Sequence, residues 1–210
     1  NDSPVVTTAV GGNAGTAVEA GNLDNGTVVA GDPDASGTLS SSDVDTGATA
    51  TWSGSAAGTY GSFAIAAGGA WTYVLNNADA DTDALAEGAS VTDQFTATVT
   101  DDKGATATQL VTITIAGTND SPVINANAFA AAGAVQEDTT LSATGQLAAS
   151  DADDGATQSW SVVGSDTGAY GSLAVDGAGA WTYTLDNASA AVQALAAGES
   201  LERAHGAYRR

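Results

Sequence analysis

Of the 25 acidic residues in this 210-residue chain, 20 are Asp, and several sit at spacings suited to a hard cation. Such an ion takes about six to eight oxygen ligands, drawn from Asp, Glu, Asn and backbone carbonyls. Asp43/Asp45 and Asp151/Asp153 form D-x-D pairs, Asp101/Asp102 and Asn119/Asp120 are adjacent, and Glu19 and Glu137 occupy corresponding early positions in two similar stretches. Two carboxylates about 4 Å apart repel by roughly 1 kcal/mol in water and about 4 kcal/mol at an effective dielectric near 20. Acids gathered at one place therefore favour a bridging cation. The competing reading makes each D-x-D a solvated turn, because Asp is a good turn former.

Other chemistries fit poorly. The single His205 sits among the last residues, so a Ser/His triad cannot be assembled in the body of the chain. Cysteine is absent, which removes disulfides, zinc-thiolate sites and a cysteine nucleophile. Asp pairs could form a glycosidase dyad, but an enzyme would not be expected to duplicate its site in tandem with an incomplete copy. No enzymatic activity is expected. A net charge of -21 repels nucleic acid and anionic lipid. No apolar run approaches a membrane span of about 18 residues, so insertion is not expected either.

The elements that must position these acids come in two copies. "SSSDVDTGATATW" (Ser40 to Trp52) matches "AASDADDGATQSW" (Ala148 to Trp160), and "GTYGSFAIAAGGAWTYVLNNA" (Gly58 to Ala78) matches "GAYGSLAVDGAGAWTYTLDNA" (Gly168 to Ala188). "DALAEGASV" (Asp83 to Val91) matches "QALAAGESL" (Gln193 to Leu201). The offset is 118 at the "NDSP" motif, 108 at the first Trp and 110 at the second, so length differences fall in loops. This is a duplication, divided as residues 1–118, 119–201 and an atypical basic tail, 202–210.

Within a copy the apolar pattern has period two: Trp71, Tyr73 and Leu75; Phe95, Ala97 and Val99; Val111, Ile113 and Ile115. About seven short strands per copy, joined by turns such as "DTG", "AAGG" and "DDKG", predict tandem antiparallel β-sandwiches of immunoglobulin or cadherin type. Only "ADADTDALAEG" hints at a short helix, a lid on the sandwich end. Trp71, Tyr73, Trp181 and Tyr183 are expected in the core. Trp52 and Trp160 are expected there too, a sugar-stacking platform being the alternative. The second copy lacks a counterpart of "TDQFTATVTDDKGATATQLVTITIAGTND", so its last two strands are expected to be missing and the domain marginal. Its end, with Arg203, His205, Arg209 and Arg210, reads as a frameshifted, truncated or vector-derived tail, or as a genuine basic terminus. The start at Asn1 suggests a segment of something longer.

The ordered motifs "GTLSSSDVD", "YGSF", "WTYVLNN", "ALAEG", "FTATVTDDKG" and "ITIAGTNDSP" resemble the VCBS repeat, a cadherin-like module found in tandem in very large bacterial surface and secreted proteins, including RTX-type adhesins. Extra residues at "NLDNGTVVAGDPDAS" (Asn22 to Ser36) depart from that pattern. The resemblance implies a secreted or cell-surface location and a calcium-stiffened spacer contacting adjacent repeats. It also implies one junctional calcium set: Glu19, Asp101, Asp102, Asn119, Asp120, Asp151 and Asp153. Pro122 would restrict the chain path at that hinge. The alternative function is binding of host or matrix carbohydrate or protein through exposed aromatics or a free strand edge.

Overall fold

The structure, a computed structural model, describes residues 1–125, 131–202, 204 and 206–209. Arg203, His205 and Arg210 of the expected basic tail lie outside the described residues. Two compact units are present: residues 1–121 with 152–155, and 122–151 with 156–210.

The first unit is a sandwich of two four-stranded sheets. Its elements are β1 (Val5–Val6), β2 (Ala14–Val18), β3 (Gly21–Asn22), β4 (Val28–Val29), β5 (Asp34–Thr38), β6 (Ser41–Ser42), β7 (Ala50–Ser53), β8 (Ser55–Ala57), β9 (Gly61–Ile65), β10 (Ala70–Leu75), helix α1 (Ala80–Asp83), β11 (Ser90–Asp101) and β12 (Thr106–Ala116). One sheet runs β5-β10-β9-β8 and the other β2-β12-β11-β7. β2 runs parallel to β12, whereas every other strand pair among the described residues is antiparallel.

The period-two pattern decides which side chains face inward. On β10, Trp71, Tyr73 and Leu75 are buried while Ala70, Thr72 and Val74 are exposed. Phe95, Ala97 and Val99 of β11 meet Val111, Ile113 and Ile115 of β12 in the same interior. Phe63 stacks on Phe95 at 4.9 Å between ring centroids. The small residues have a definite task here: a Cβ at Gly37 would lie 2.6 Å from the Trp71 ring, and the indole N–H donates to the Gly12 carbonyl (2.7 Å). Trp52 is also buried, which removes it as a sugar platform.

The second unit repeats this plan in shorter form: β13 (Val123–Ile124), β14 (Ser142–Gln146), β15 (Ala149–Ser150), β16 (Trp160–Val163), β17 (Gly171–Val175), β18 (Ala180–Leu185), α2 (Ala190–Gln193) and β19 (Gly206–Arg209). The sheet β14-β18-β17 copies β5-β10-β9, with Gly145 against Trp181 as Gly37 is against Trp71. Trp160 and Trp181 are buried, but Tyr183 and Leu185 are only half-buried. No counterpart of the long β11–β12 hairpin is present among the described residues; β16, the equivalent of β7, pairs instead with β19.

Candidate functional site

β2 ends where its last backbone groups pair on both sides. Val18 exchanges N–H and C=O bonds with Asp32, and the Glu19 N–H donates to the Ala116 carbonyl (3.0 Å). Glu19 is thereby fixed at the end of the sandwich where β12 also ends, and is fully buried. The Thr118 N–H donates to Glu19 Oε2 (3.1 Å), and the Thr118 hydroxyl donates to the Glu19 carbonyl (2.9 Å). Glu19 Oε1 is buried with no hydrogen-bond partner among the described residues.

Two more carboxylates face it. Glu19, Asp83 and Asp120 each place an oxygen within 4.8 Å of the others. Asp83 comes from α1, whose first turn is capped by the Asp79 side chain accepting from the Asp81 N–H (3.1 Å). Asp120 follows Thr118 by two residues, and one of its oxygens, Oδ2, is also buried without a partner. Asp153 joins the first unit through its short segment: its Oδ2 accepts from the Asp120 N–H (2.9 Å), and the neighbouring Asp154 N–H donates to the Ala84 carbonyl (3.0 Å).

The electrostatics follow from this crowding. Burial pushes the Glu19 carboxyl up to about 7, and the charges of Asp120, Asp153 and Asp83 add to the rise against the opposing Thr118 N–H. Burial, then Asp83 and Asp153, raises Asp120 as well. Among the described residues no cationic side chain offsets these acids: the ion pair found there is Lys103 with Asp102, at the far end of the unit. The site combines carboxylate oxygens, a low-dielectric wall and two buried oxygens without donors, a donor set matched to a hard divalent cation.

The expected junctional set is divided by the fold. Ser90 of β11 pairs with Ala116, beside Glu19, and Asp101 is the last residue of this 12-residue strand. At about 3.4 Å per residue that puts Asp101 and Asp102 more than 30 Å away, so they do not join Glu19. Asp101 is instead buried in the β11–β12 turn. Burial would raise its carboxyl, but N–H groups of Ala105 and Lys103 and the Asn1 amide hold it below the usual range. Asp102 is lowered by its bond to Lys103.

Asp43 and Asp45 lie at that same end. Asp45 Oδ2 accepts from the Asp2 N–H (2.7 Å), the same contact that Asp153 makes with Asp120 one repeat later, and its own N–H donates to Asp43 (2.9 Å). Asp43 Oδ2 has no partner. Asn119 acts as a fastener: its amide nitrogen donates to the Asn22 carbonyl (3.0 Å). Asp151 and Glu137 belong to the second unit, where Glu137 is half-buried in the turn Gln136 to Thr140.

Asp83 was missed by sequence reasoning, which treated "ADADTDALAEG" as a lid. The alternating Asp79, Asp81 and Asp83 were the available signal. Asp83 itself is exposed, and the buried acid Asp93 was not singled out either. It accepts from the N–H groups of Thr59 (2.9 Å) and Tyr60 (3.2 Å) and from the Tyr73 hydroxyl (2.9 Å). Burial and that bond hold the Tyr73 phenol well above its usual range. Asp93 is fully engaged in locking the 58–60 turn, in contrast to Glu19.

A family model described as Bacterial cadherin-like domain matches residues 1–117, and one described as Bacterial Ig domain matches 119–196. Among solved structures, domains EC1-4 of PcdhgB3 share 16% identity over 92% of this chain and 43% of theirs, with a TM-score of 0.50. Domains EC22-24 of mouse cadherin-23 share 16% over 89% of this chain and 56% of theirs (TM-score 0.48). Domains EC1-4 of Drosophila N-cadherin share 17% over 90% and 43% (TM-score 0.49). The chain thus spans about half the length of these structures. No curated protein sequence matches it.

Proposed function

Because the chain belongs to the bacterial cadherin-like domain family, we propose that it is a non-enzymatic spacer repeat of a large bacterial surface or secreted adhesin, of the VCBS type, stiffened by calcium. Cadherin-like and bacterial Ig domains are typically extracellular structural or adhesion modules, and cadherin-like domains generally bind calcium. No helix among the described residues is long and apolar enough to cross a membrane. The observation that carries the reading is the buried, partnerless Glu19 Oε1 facing Asp83 and Asp120. Calcium would be held by Glu19, Asp83 and Asp120, with Asp153 beside them, and would fasten the Asn119 to Ser121 connector and the 152–155 segment to the sandwich. Asp43, Asp45 and Asp101 would offer part of a similar donor set to a preceding repeat.

Extracellular modules bind calcium with dissociation constants of about 0.1 to 1 mM, so a few millimolar would stabilise the site by about 1 to 2 kcal/mol. Calorimetric titration is expected to give one site in this range, lost in Asp83→Asn and in Asp120→Asn. Scattering from two complete tandem repeats should show a more extended particle with calcium than with chelator. A titration with no calcium-dependent heat and no change in unfolding would defeat the proposal. The burial of Trp52 and Trp160 weighs against carbohydrate stacking as the repeat's own role.

A further inference from the structure

The extra residues Asn22 to Ser36 do not contribute a carboxylate to the acidic cluster, and their hairpin carries a different kind of chemistry. β3 and β4 pair as Gly21 with Val29 and Asn22 with Val28. The loop between them closes by the Leu23 N–H donating to the Thr27 carbonyl (2.9 Å) and the Gly26 N–H to the Leu23 carbonyl (2.8 Å). Gly26 sits at φ +83°, a conformation that side chains rarely adopt. The loop presents Asn25-Gly26-Thr27, an N-x-[ST] sequence, with all three residues exposed.

Three other such sequences occur, at Asn1, Asn119 and Asn187, and in each the carboxamide nitrogen already donates a hydrogen bond. Asn1 donates to Asp101 (3.1 Å), Asn119 to the Asn22 carbonyl (3.0 Å) and Asn187 to Asp138 (2.9 Å). Two of the hydroxyls are engaged as well, Ser121 with the Leu23 carbonyl (2.7 Å) and Ser189 with the Ala169 carbonyl (3.0 Å). Asn25 differs. Its Oδ1 accepts from the Thr27 N–H (2.9 Å), which orients the amide, while Nδ2 makes no hydrogen bond among the described residues.

We propose that Asn25 is an N-glycosylation acceptor, displayed by the inserted hairpin for a transferase that uses a glycosyl diphosphate donor. In the transfer, Asn25 Nδ2 bonds to the anomeric carbon of the sugar and the anomeric C–O bond to the diphosphate breaks. The diphosphate leaves with that electron pair, and the displaced amide proton passes to a base of the transferase. The donor is either a nucleotide sugar or a lipid-linked glycan; in both the leaving group is a diphosphate ester, of a nucleoside in the first and of a lipid in the second.

The test uses the folded full chain in two arms. One arm supplies UDP-glucose and a soluble sequon-specific N-glycosyltransferase; the other supplies a lipid-linked glycan and a membrane oligosaccharyltransferase. Each arm has a sequon peptide as activity control and is read by peptide mass spectrometry. In at least one arm the glycan mass is expected on the Asn25 peptide, lost in Asn25→Gln and in Thr27→Ala, with Asn119 and Asn187 becoming acceptors only after denaturation. An unmodified Asn25 in both arms with active controls would overturn the proposal. So would equal labelling of Asn119 or Asn187 in the native chain.

Discussion

Glu19 and Glu137 occupy the same place in two copies of one module, yet among the described residues only Glu19 sits in a carboxylate cluster. The scaffold behind them is shared: the Ala20 N–H donates to Asn77 Oδ1 (3.0 Å), and the Asp138 N–H donates to Asn187 Oδ1 (3.0 Å) at the equivalent positions. The acids around them are not shared. Where the first unit has Asp83, the second has Gln193, whose amide donates to the Asn187 carbonyl (2.9 Å). Where β12 delivers Thr118 and Asp120 to Glu19, the second unit has no described counterpart. Duplicating the loop reproduces the frame, but the site needs the closing hairpin, because that hairpin brings the remote end of the chain back beside β2.

The same hairpin sets core completeness, and the largest expected difference between the units follows from it. Trp71→Ala should cost about 3 to 5 kcal/mol, as for a fully enclosed large ring. Trp181→Ala should cost at most about half as much, since Tyr183 and Leu185 beside it are half-buried where Tyr73 and Leu75 are enclosed. Urea unfolding of the full chain, followed by NMR signals assigned to each unit, measures both. Equal costs would mean that the second core is as complete as the first.

Much of the first unit was legible in the sequence, for a physical reason. Alternation on Phe95, Ala97, Val99 and Val111, Ile113, Ile115 is a local property of a pleated strand, and the duplication supplied the unit length. Glu19, Asp120 and Asp153 stand out in the sequence as acids, and the fold brings them near one another. What could not be read was which end of the sandwich each acid occupies. Asp101 and Asp102 precede the Asn119/Asp120 hinge by fewer than twenty residues, but one long antiparallel hairpin carries the intervening chain away and back. Asp83 was obscured because its role depends on where a one-turn helix docks, which no periodicity reports.

A smaller contrast is expected from pH. In the calcium-free first unit, the Glu19 carboxyl rises from 4.5 to about 7 on folding. Between those values the folded chain holds a proton on Glu19 that the unfolded chain has lost, so the stability this group contributes is greatest below about pH 4.5 and declines as pH rises to about 7. The decline from this group amounts to a few kcal/mol at most. Unfolding midpoints of wild type and Glu19→Gln in chelator, across this range, isolate the contribution. A wild-type profile identical to that of Glu19→Gln would place the Glu19 titration at its ordinary value and remove the buried-charge argument.

The smallest expected effect is the most discriminating. If the acidic side chain on the helix were all that the second unit lacked, Gln193→Asp would create a second calcium site. The geometry predicts no such gain, because the N–H that orients the Glu19 carboxylate comes from Thr118 and a facing carboxylate comes from Asp120, both of which follow β12. Calorimetry of Gln193→Asp should therefore still count one calcium per chain, with stability changed by no more than about 0.5 kcal/mol, as is usual for a surface substitution. Asp83→Gln, the converse exchange, should abolish the site in the first unit. A second site appearing in Gln193→Asp would locate the selectivity in the helix alone and leave the closing hairpin with a purely structural role.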